Sequence, residues 1–127
     1  MCIFRDINSW LPSLHGQPWH VAHELRNLHF SDFIRREWEC VWDEQAGVTL
    51  GDTRYMTEMI HERDPIINSR FPNVIKMRNS KYSHWLTYCD DYKNCIPISM
   101  EHVVKDPSIS IKVPSPWVDF SSDNLKV

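Results

Sequence analysis

The sequence predicts a small α/β domain. A period-two run over residues 37–43, helical recurrences of apolar residues on either side of it, and short aromatic and β-branched runs in the second half point there. At 127 residues the chain fits one domain able to bury its own core.

Pro12, Gly16 and Pro18 interrupt the first eighteen residues, so residues 1–18 are expected as an irregular N-terminal arm. Trp19, Ala22, Leu25 and Leu28 then recur at helical spacing and predict a short helix over about 19–28. In EWECVWD, residues 37–43, Trp38, Cys40 and Trp42 share one face. Glu37, Glu39, Val41 and Asp43 take the other, the pattern of a half-buried strand. Gly47 and Gly51 bracket a loop. Asp52 or Thr53 can cap a helix carrying Met56, Met59 and Ile60, which Pro65 should kink or end.

After Pro72, NVIKM reads as a second strand, Asn79-Ser80 as a turn, and HWLTYC as a third run with strand character. Asp90-Asp91 supplies the next turn. NCIPIS then closes a hairpin as an edge strand, because Pro97 cannot donate to a ladder. A strand–helix–strand unit followed by an antiparallel hairpin is the core of a thioredoxin-like sandwich. The expected fold is therefore one thioredoxin-like domain over residues 19–105, a small mixed sheet with flanking helices, followed by an extended C-terminal tail over 106–127. There is no internal repeat and no low-complexity tract.

Hydrophobic residues are 42% and charged residues 24% of the chain, and no apolar run approaches a bilayer's thickness, so membrane insertion is not expected. The net charge of −3 argues against a free-standing nucleic-acid binder, which needs a basic excess to neutralise phosphates. Six tryptophans exceed what one small core uses and suit a protein that lives against partners. The opening stretch has one arginine balanced by Asp6 and lacks the basic character of a mitochondrial transit peptide.

Cys2, Cys40, Cys89 and Cys95 contain no CxxC pair and read as reduced thiols. Cys40 is expected as an inert core thiol, since thiol–disulfide exchange needs a resolving partner nearby. Cys89 and Cys95 flank the expected hairpin turn and could approach each other as a bridge or as two metal ligands. A metal would require two further ligands, from a partner or from histidines such as His84 or His102, and the simpler reading is two ordinary strand cysteines. No metal or cofactor is expected. His15, His20, His23 and His29 cluster without forming HExxH and read as a surface helix. Glu58, Glu62, Asp64 and Lys76 superficially suit a metal-dependent nuclease, but three of them fall within one expected helix, whereas two-metal chemistry needs convergence from different elements.

Four stretches carry a resemblance. Leu28-His29-Phe30-Ser31-Asp32 followed by Glu37 to Trp42 is similar to a Phe-x-Asp entry into a first strand. Gly51-Asp52-Thr53-Arg54-Tyr55-Met56 is similar to a small-Gly-small-Arg-aromatic helix start. Asp64-Pro65-Ile66-Ile67 with Phe71-Pro72-Asn73-Val74-Ile75 is similar to a Pro-x-Ile and Asn-Pro-x-Val-x-Ile segment. Met77-Arg78-Asn79 with Trp85-Leu86-Thr87-Tyr88, Asp91 and Ile96-Pro97-Ile98 is similar to a closing hairpin. In order and spacing they resemble the thioredoxin-fold family shared by mitochondrial ribosomal proteins of both subunits and a small accessory subunit of respiratory complex I. His84 stands where that family commonly has proline.

The resemblance implies a non-enzymatic structural subunit in the mitochondrial matrix. It would belong to the small ribosomal subunit, with complex I as the alternative, and would contact neighbouring mitochondrial ribosomal proteins with peripheral rRNA contacts at most. A redox or metal-dependent enzyme is the reading from another class. Trp10, Trp19 and Trp117 are the candidate partner-binding anchors, lying in the arm and tail and suited to buried interface pockets. Arg35, Arg36, Lys76 and Arg78 form the local basic clusters able to reach a phosphate backbone.

Overall fold

The structure, a computed structural model, describes residues 2–92 and 95–108. It mixes helix and strand in the order β1 (Cys2–Phe4), α1 (Ile7–Gly16), α2 (His23–Arg26), α3 (Phe30–Phe33), α4 (Val74–Asp91), β2 (Pro97–Ser99) and α5 (Met100–Lys105). Short 3₁₀ turns lie at Glu44–Ala46 and Ile60–Glu62. β1 and β2 form a two-stranded parallel sheet in the register Cys2 to Pro97, Ile3 to Ile98 and Phe4 to Ser99. No helix among the described residues is long and apolar enough to cross a membrane. The chain divides into two compact units, Asn8–Ser83 and Met1–Ile7 with His84–Val127.

The larger core belongs to Asn8–Ser83. Phe33, Val21, Val48 and Val74 are fully enclosed, and Trp38, Val41, Met59, Phe71 and Met77 pack as buried neighbours. Extended backbone over residues 38–41 organises this core through antiparallel bridges of Val21 to Cys40, Val41 to Glu58 and Trp38 to Phe71. Trp38 and Cys40 point inward as the alternation predicts. The phase then slips by one residue: Val41 and Asp43 are also buried, and Trp42 is left half-buried against Arg54 and His61, with ring distances of 5.4 Å to each.

Several local expectations yield to this pairing. The arm is ordered. β1 pairs with β2, and Leu11 buries α1 even though Pro12 lies inside that helix. The helix expected over 19–28 shrinks to α2, because the backbone before it pairs with the extended segment: Val41 donates to the His20 carbonyl at 2.8 Å and Ala22 to the Glu39 carbonyl at 3.0 Å.

The α-helix expected to start at Asp52 or Thr53 does not form; the stretch holds only the 3₁₀ turn at Ile60–Glu62. The Asp52 carboxylate folds a tight turn by accepting from the Arg54 amide at 2.8 Å. Met56 adopts φ 61°, a left-handed conformation that ends helical propagation. The Met56 and Met59 amides donate instead to the carbonyls of Trp42 and Cys40, each at 2.8 Å.

The largest correction is α4. NVIKM and HWLTYC, expected as two strands, form one helix from Val74 to Asp91, with Asn79-Ser80 inside it. Asn73 starts it: its side-chain oxygen accepts from the Lys76 amide at 2.9 Å, the bond of an N-cap. Val74 and Met77, three residues apart, supply its buried face. The strand expected around Pro97 exists, but it pairs in parallel with β1 and not with a preceding hairpin arm. The tail expected over 106–127 lies outside the described residues from position 109 onward.

Candidate interaction surface and the side chains around it

In Asn8–Ser83 a cleft of about 650 Å³ is lined by Gly16, Gln17, Pro18, Trp19, Arg26 and Gln45. Of the expected anchors, Trp19 projects here and is 60% exposed. Trp10 sits differently. It is half-buried on α1, with the Arg78 guanidinium 5.5 Å from its ring and 4.0 Å from that of Tyr82, so both expected contact residues take part in an internal cation–π stack. Trp117 lies outside the described residues.

Beneath the cleft, Asp43 is wholly buried. Its carboxylate accepts from the Gln45 and Ala46 amides at 3.0 and 3.3 Å and from the Arg26 guanidinium, and His20 Nδ1 stands 3.5 Å away. Burial by itself would raise this carboxyl, but the bonds from Arg26 and Ala46, the Arg26 charge and the neighbouring His20 outweigh it, so it is held below the usual carboxylate range. Arg26 also donates to the Val21 carbonyl at 2.6 Å, tying the cleft floor to the core.

A second ionic centre forms around Glu58. Arg63 and Arg70 each grip it in a two-pronged fork, with distances of 2.6–3.0 Å. Arg70 reaches on to Glu39 at 2.7 Å and Glu37 at 3.5 Å. Hydrogen bonds from Arg63 and then Arg70 bring the Glu58 carboxyl down to about 2 against the opposing effect of burial. Glu62 pairs with Lys81, and the Asp64 carboxylate accepts from the Ile66 amide at 2.8 Å. The acids that suggested a nuclease are thus held by arginine, lysine and backbone, and they lie on turns and loops, not on the single helix expected.

The candidate phosphate contacts are dispersed. Arg35 and Lys76 are exposed, with Arg35 donating to the Ser31 carbonyl at 3.0 Å. Arg36 is also exposed but lines a cleft of about 310 Å³ with Glu24, Glu37 and Glu39, whose charge disfavours a phosphate. The histidine cluster is structural in part: His15 bonds the Leu28 carbonyl at 2.9 Å and abuts Phe30 and Phe33, while His29 caps α3 through Ser31. Cys40 is buried, and desolvation pushes its thiol up to about 11, so it is protonated near neutral pH.

Two exposed apolar features were missed because they depend on the helix and turn assignments. On α4 and its immediate extension, Trp85, Tyr88 and Tyr92 recur at positions i, i+3 and i+7, are 43–55% exposed, and form one stripe in which Tyr88 stacks on Tyr92 at 4.3 Å. Ile66 and Ile67, 89% and 69% exposed, stand on the turn capped by Asp64. The aromatic spacing was present in the sequence; reading the segment as strand dispersed it over two faces.

In the unit formed by Met1–Ile7 and His84–Val127, Cys89 and Cys95 form a disulfide, the bridge the sequence left open and not the simpler pair of reduced strand thiols. Cys89 is on α4 and Cys95 follows it. Cys2 Sγ lies 3.4 Å from Cys95 Sγ. No family model matches the chain, and neither does any curated protein or solved structure.

Proposed function

We propose that the chain is a non-enzymatic structural subunit that works in contact with other proteins, in the small subunit of the mitochondrial ribosome. The observation that carries the first part is the exposed row Trp85, Tyr88 and Tyr92. Large aromatic side chains aligned on one helix face are the usual anchors of protein interfaces, whereas singly scattered ones need no partner. Trp19 above its cleft and the Ile66-Ile67 turn supply further apolar anchors of the same type.

The ribosomal and matrix assignment rests on the family resemblance, closest to the small-subunit member numbered twenty-five, and so does the thioredoxin-like fold. The stretch taken as a helix start is a turn and the closing hairpin is helical as far as Asp91, with only Pro97 and Ile98 in a strand, so the resemblance stands on residue types in order and not on shared elements. Neighbouring mitochondrial ribosomal proteins are the proposed partners. Any rRNA contact would be peripheral and made through Arg35 and Lys76, in keeping with the net charge of −3.

The test is sedimentation of the tagged chain from its native cell. Co-migration with mitochondrial ribosomal particles supports the reading. Co-migration with complex I moves the chain to the accessory-subunit alternative, and migration with neither removes both. A Trp85→Ala/Tyr88→Ala double variant should lose co-migration while melting almost as the parent does. Deleting residues 1–17 is a poorer test, because it takes Leu11 and His15 out of the fold.

A further inference from the structure

The sulfurs of Cys2, Cys89 and Cys95 all lie within 4.8 Å of one another. The N-terminal strand, the end of α4 and the stretch just after it meet there, bringing Cys2 to two cysteines that are six residues apart. Parallel pairing fixes the first against the third, with the Cys2 amide donating to the Ile96 carbonyl at 2.9 Å. The Cys95 amide donates to the Tyr92 carbonyl at 2.8 Å and so holds its residue against the end of α4, which carries Cys89.

A structural disulfide has no need of a third sulfur beside it. A thiol in that position can attack the bridge and scramble the pairing. A soft divalent ion, by contrast, uses all three. Zinc–thiolate bonds of about 2.3 Å in a tetrahedral site put ligand sulfurs about 3.8 Å apart; Cys2 Sγ already stands 3.4 Å from Cys95 Sγ, and only the bonded Cys89–Cys95 pair has to open. The Cα atoms of Cys89 and Cys95 are 4.5 Å apart, so side-chain rotation can open their sulfurs to that spacing once the bridge is reduced.

The surroundings favour such a staple. Among the described residues of this unit the buried apolar side chains are Cys89 and Ile98, too little to stabilise a unit by hydrophobic burial alone. In metal-stapled folds of this kind the free energy of ion binding contributes directly to folding.

We propose that Cys2, Cys89 and Cys95, when reduced, bind a zinc-class divalent cation as three thiolates, with the fourth position filled by solvent or a ligand from outside the trio. Opening the Cys89–Cys95 bond takes two electrons and two protons, supplied by two equivalents of a thiol reductant that leave as their own disulfide. Binding then releases the three thiol protons to solvent.

The full chain, reduced and handled without oxygen, should be titrated with Co²⁺ and separately assayed for zinc by mass spectrometry. A tetrahedral thiolate–cobalt spectrum that saturates at one equivalent and is displaced by zinc supports the site. Cys2→Ser, Cys89→Ser and Cys95→Ser should each weaken uptake by about tenfold or more, while Cys40→Ser leaves it unchanged. Should any of these serine variants unfold, alkylation mapping of the unmutated chain decides: zinc should shield Cys2, Cys89 and Cys95, and a chelator should expose them. No uptake by the reduced chain, uptake indifferent to Cys2→Ser, or a Cys89–Cys95 bridge that persists under reductant would each overturn the proposal.

Discussion

Asn8–Ser83 encloses Phe33, Val21, Val48 and Val74 and buries a charge, Asp43, with every oxygen engaged. The described residues of the other unit bury Cys89 and Ile98, show Trp85, Tyr88 and Tyr92 to solvent, and concentrate three sulfurs. The first has enough apolar interior to hold its loops; the described residues of the second have little, and a cross-link joins two of them. That difference separates residues that matter for folding from residues available for recognition.

The largest effect should come from the core of Asn8–Ser83. Trp38, 4% exposed and packed edge-on against Phe33 at 5.7 Å, should cost roughly 3–5 kcal/mol when changed to alanine. Trp42→Ala should cost roughly 1–2 kcal/mol, since that ring is half-buried and rests on Arg54 and His61. Urea denaturation of both variants checks the phase slip: equal losses would restore strict alternation through residue 42.

Asp43→Ala comes next, at roughly 3 kcal/mol, because it removes the carboxylate that pairs with Arg26, leaving that guanidinium the Val21 carbonyl, and removes the acceptor that caps the turn at Glu44–Ala46. Asp43→Asn keeps an acceptor for the Gln45 and Ala46 amides and should lose less. If the two variants melt alike, the cap contributes little and the charge pair accounts for the loss.

These two residues also show what the sequence could reveal. Trp38 and Cys40 were readable as inward-facing from alternation, because that segment does run extended. Asp43 was assigned to the solvent face by the same alternation, and nothing local warns that Arg26, seventeen residues earlier, will meet it. The α4 error has another origin. Ile75, Trp85, Thr87 and Tyr88 favour strands individually, yet Asn73 caps the segment and Val74 and Met77 share a buried face, so capping and tertiary packing override propensity. The three-sulfur cluster was half legible: Cys89 and Cys95 were recognisable as neighbours, but Cys2 reaches them through a parallel pairing that no local pattern announces.

The third prediction sharpens the contrast between the units. Reducing Cys89–Cys95 in the presence of a chelator frees a six-residue separation, worth about 2 kcal/mol on chain-entropy grounds. Amide exchange of Ile98 and Ser99 should accelerate while that of Val21 and Val41 stays slow. Equal loosening of both would mean that the units stand or fall together.

The smallest expected effect at neutral pH tests the charge network. Glu58→Gln keeps hydrogen-bond acceptance from one oxygen and should cost roughly 0.5–1.5 kcal/mol. Its signature lies in acid. The Glu58 carboxyl titrates at about 2 in the folded chain against an ordinary value of 4.5, so its stabilisation is complete above pH 4.5 and disappears as pH falls towards 2. Glu39 works in the opposite direction. Burial, together with the charges of Glu58, Glu24 and Glu37, raises it despite Arg70, so the folded state takes up this proton before the unfolded chain does and acidification near its ordinary value stabilises the fold. Glu58→Gln should therefore flatten the loss of stability between pH 4.5 and 2, and Glu39→Gln should steepen it slightly. Measured by urea titration across that range, an unchanged acid limb in Glu58→Gln would show that Arg63 and Arg70 hold this corner through their side-chain stems and not through charge.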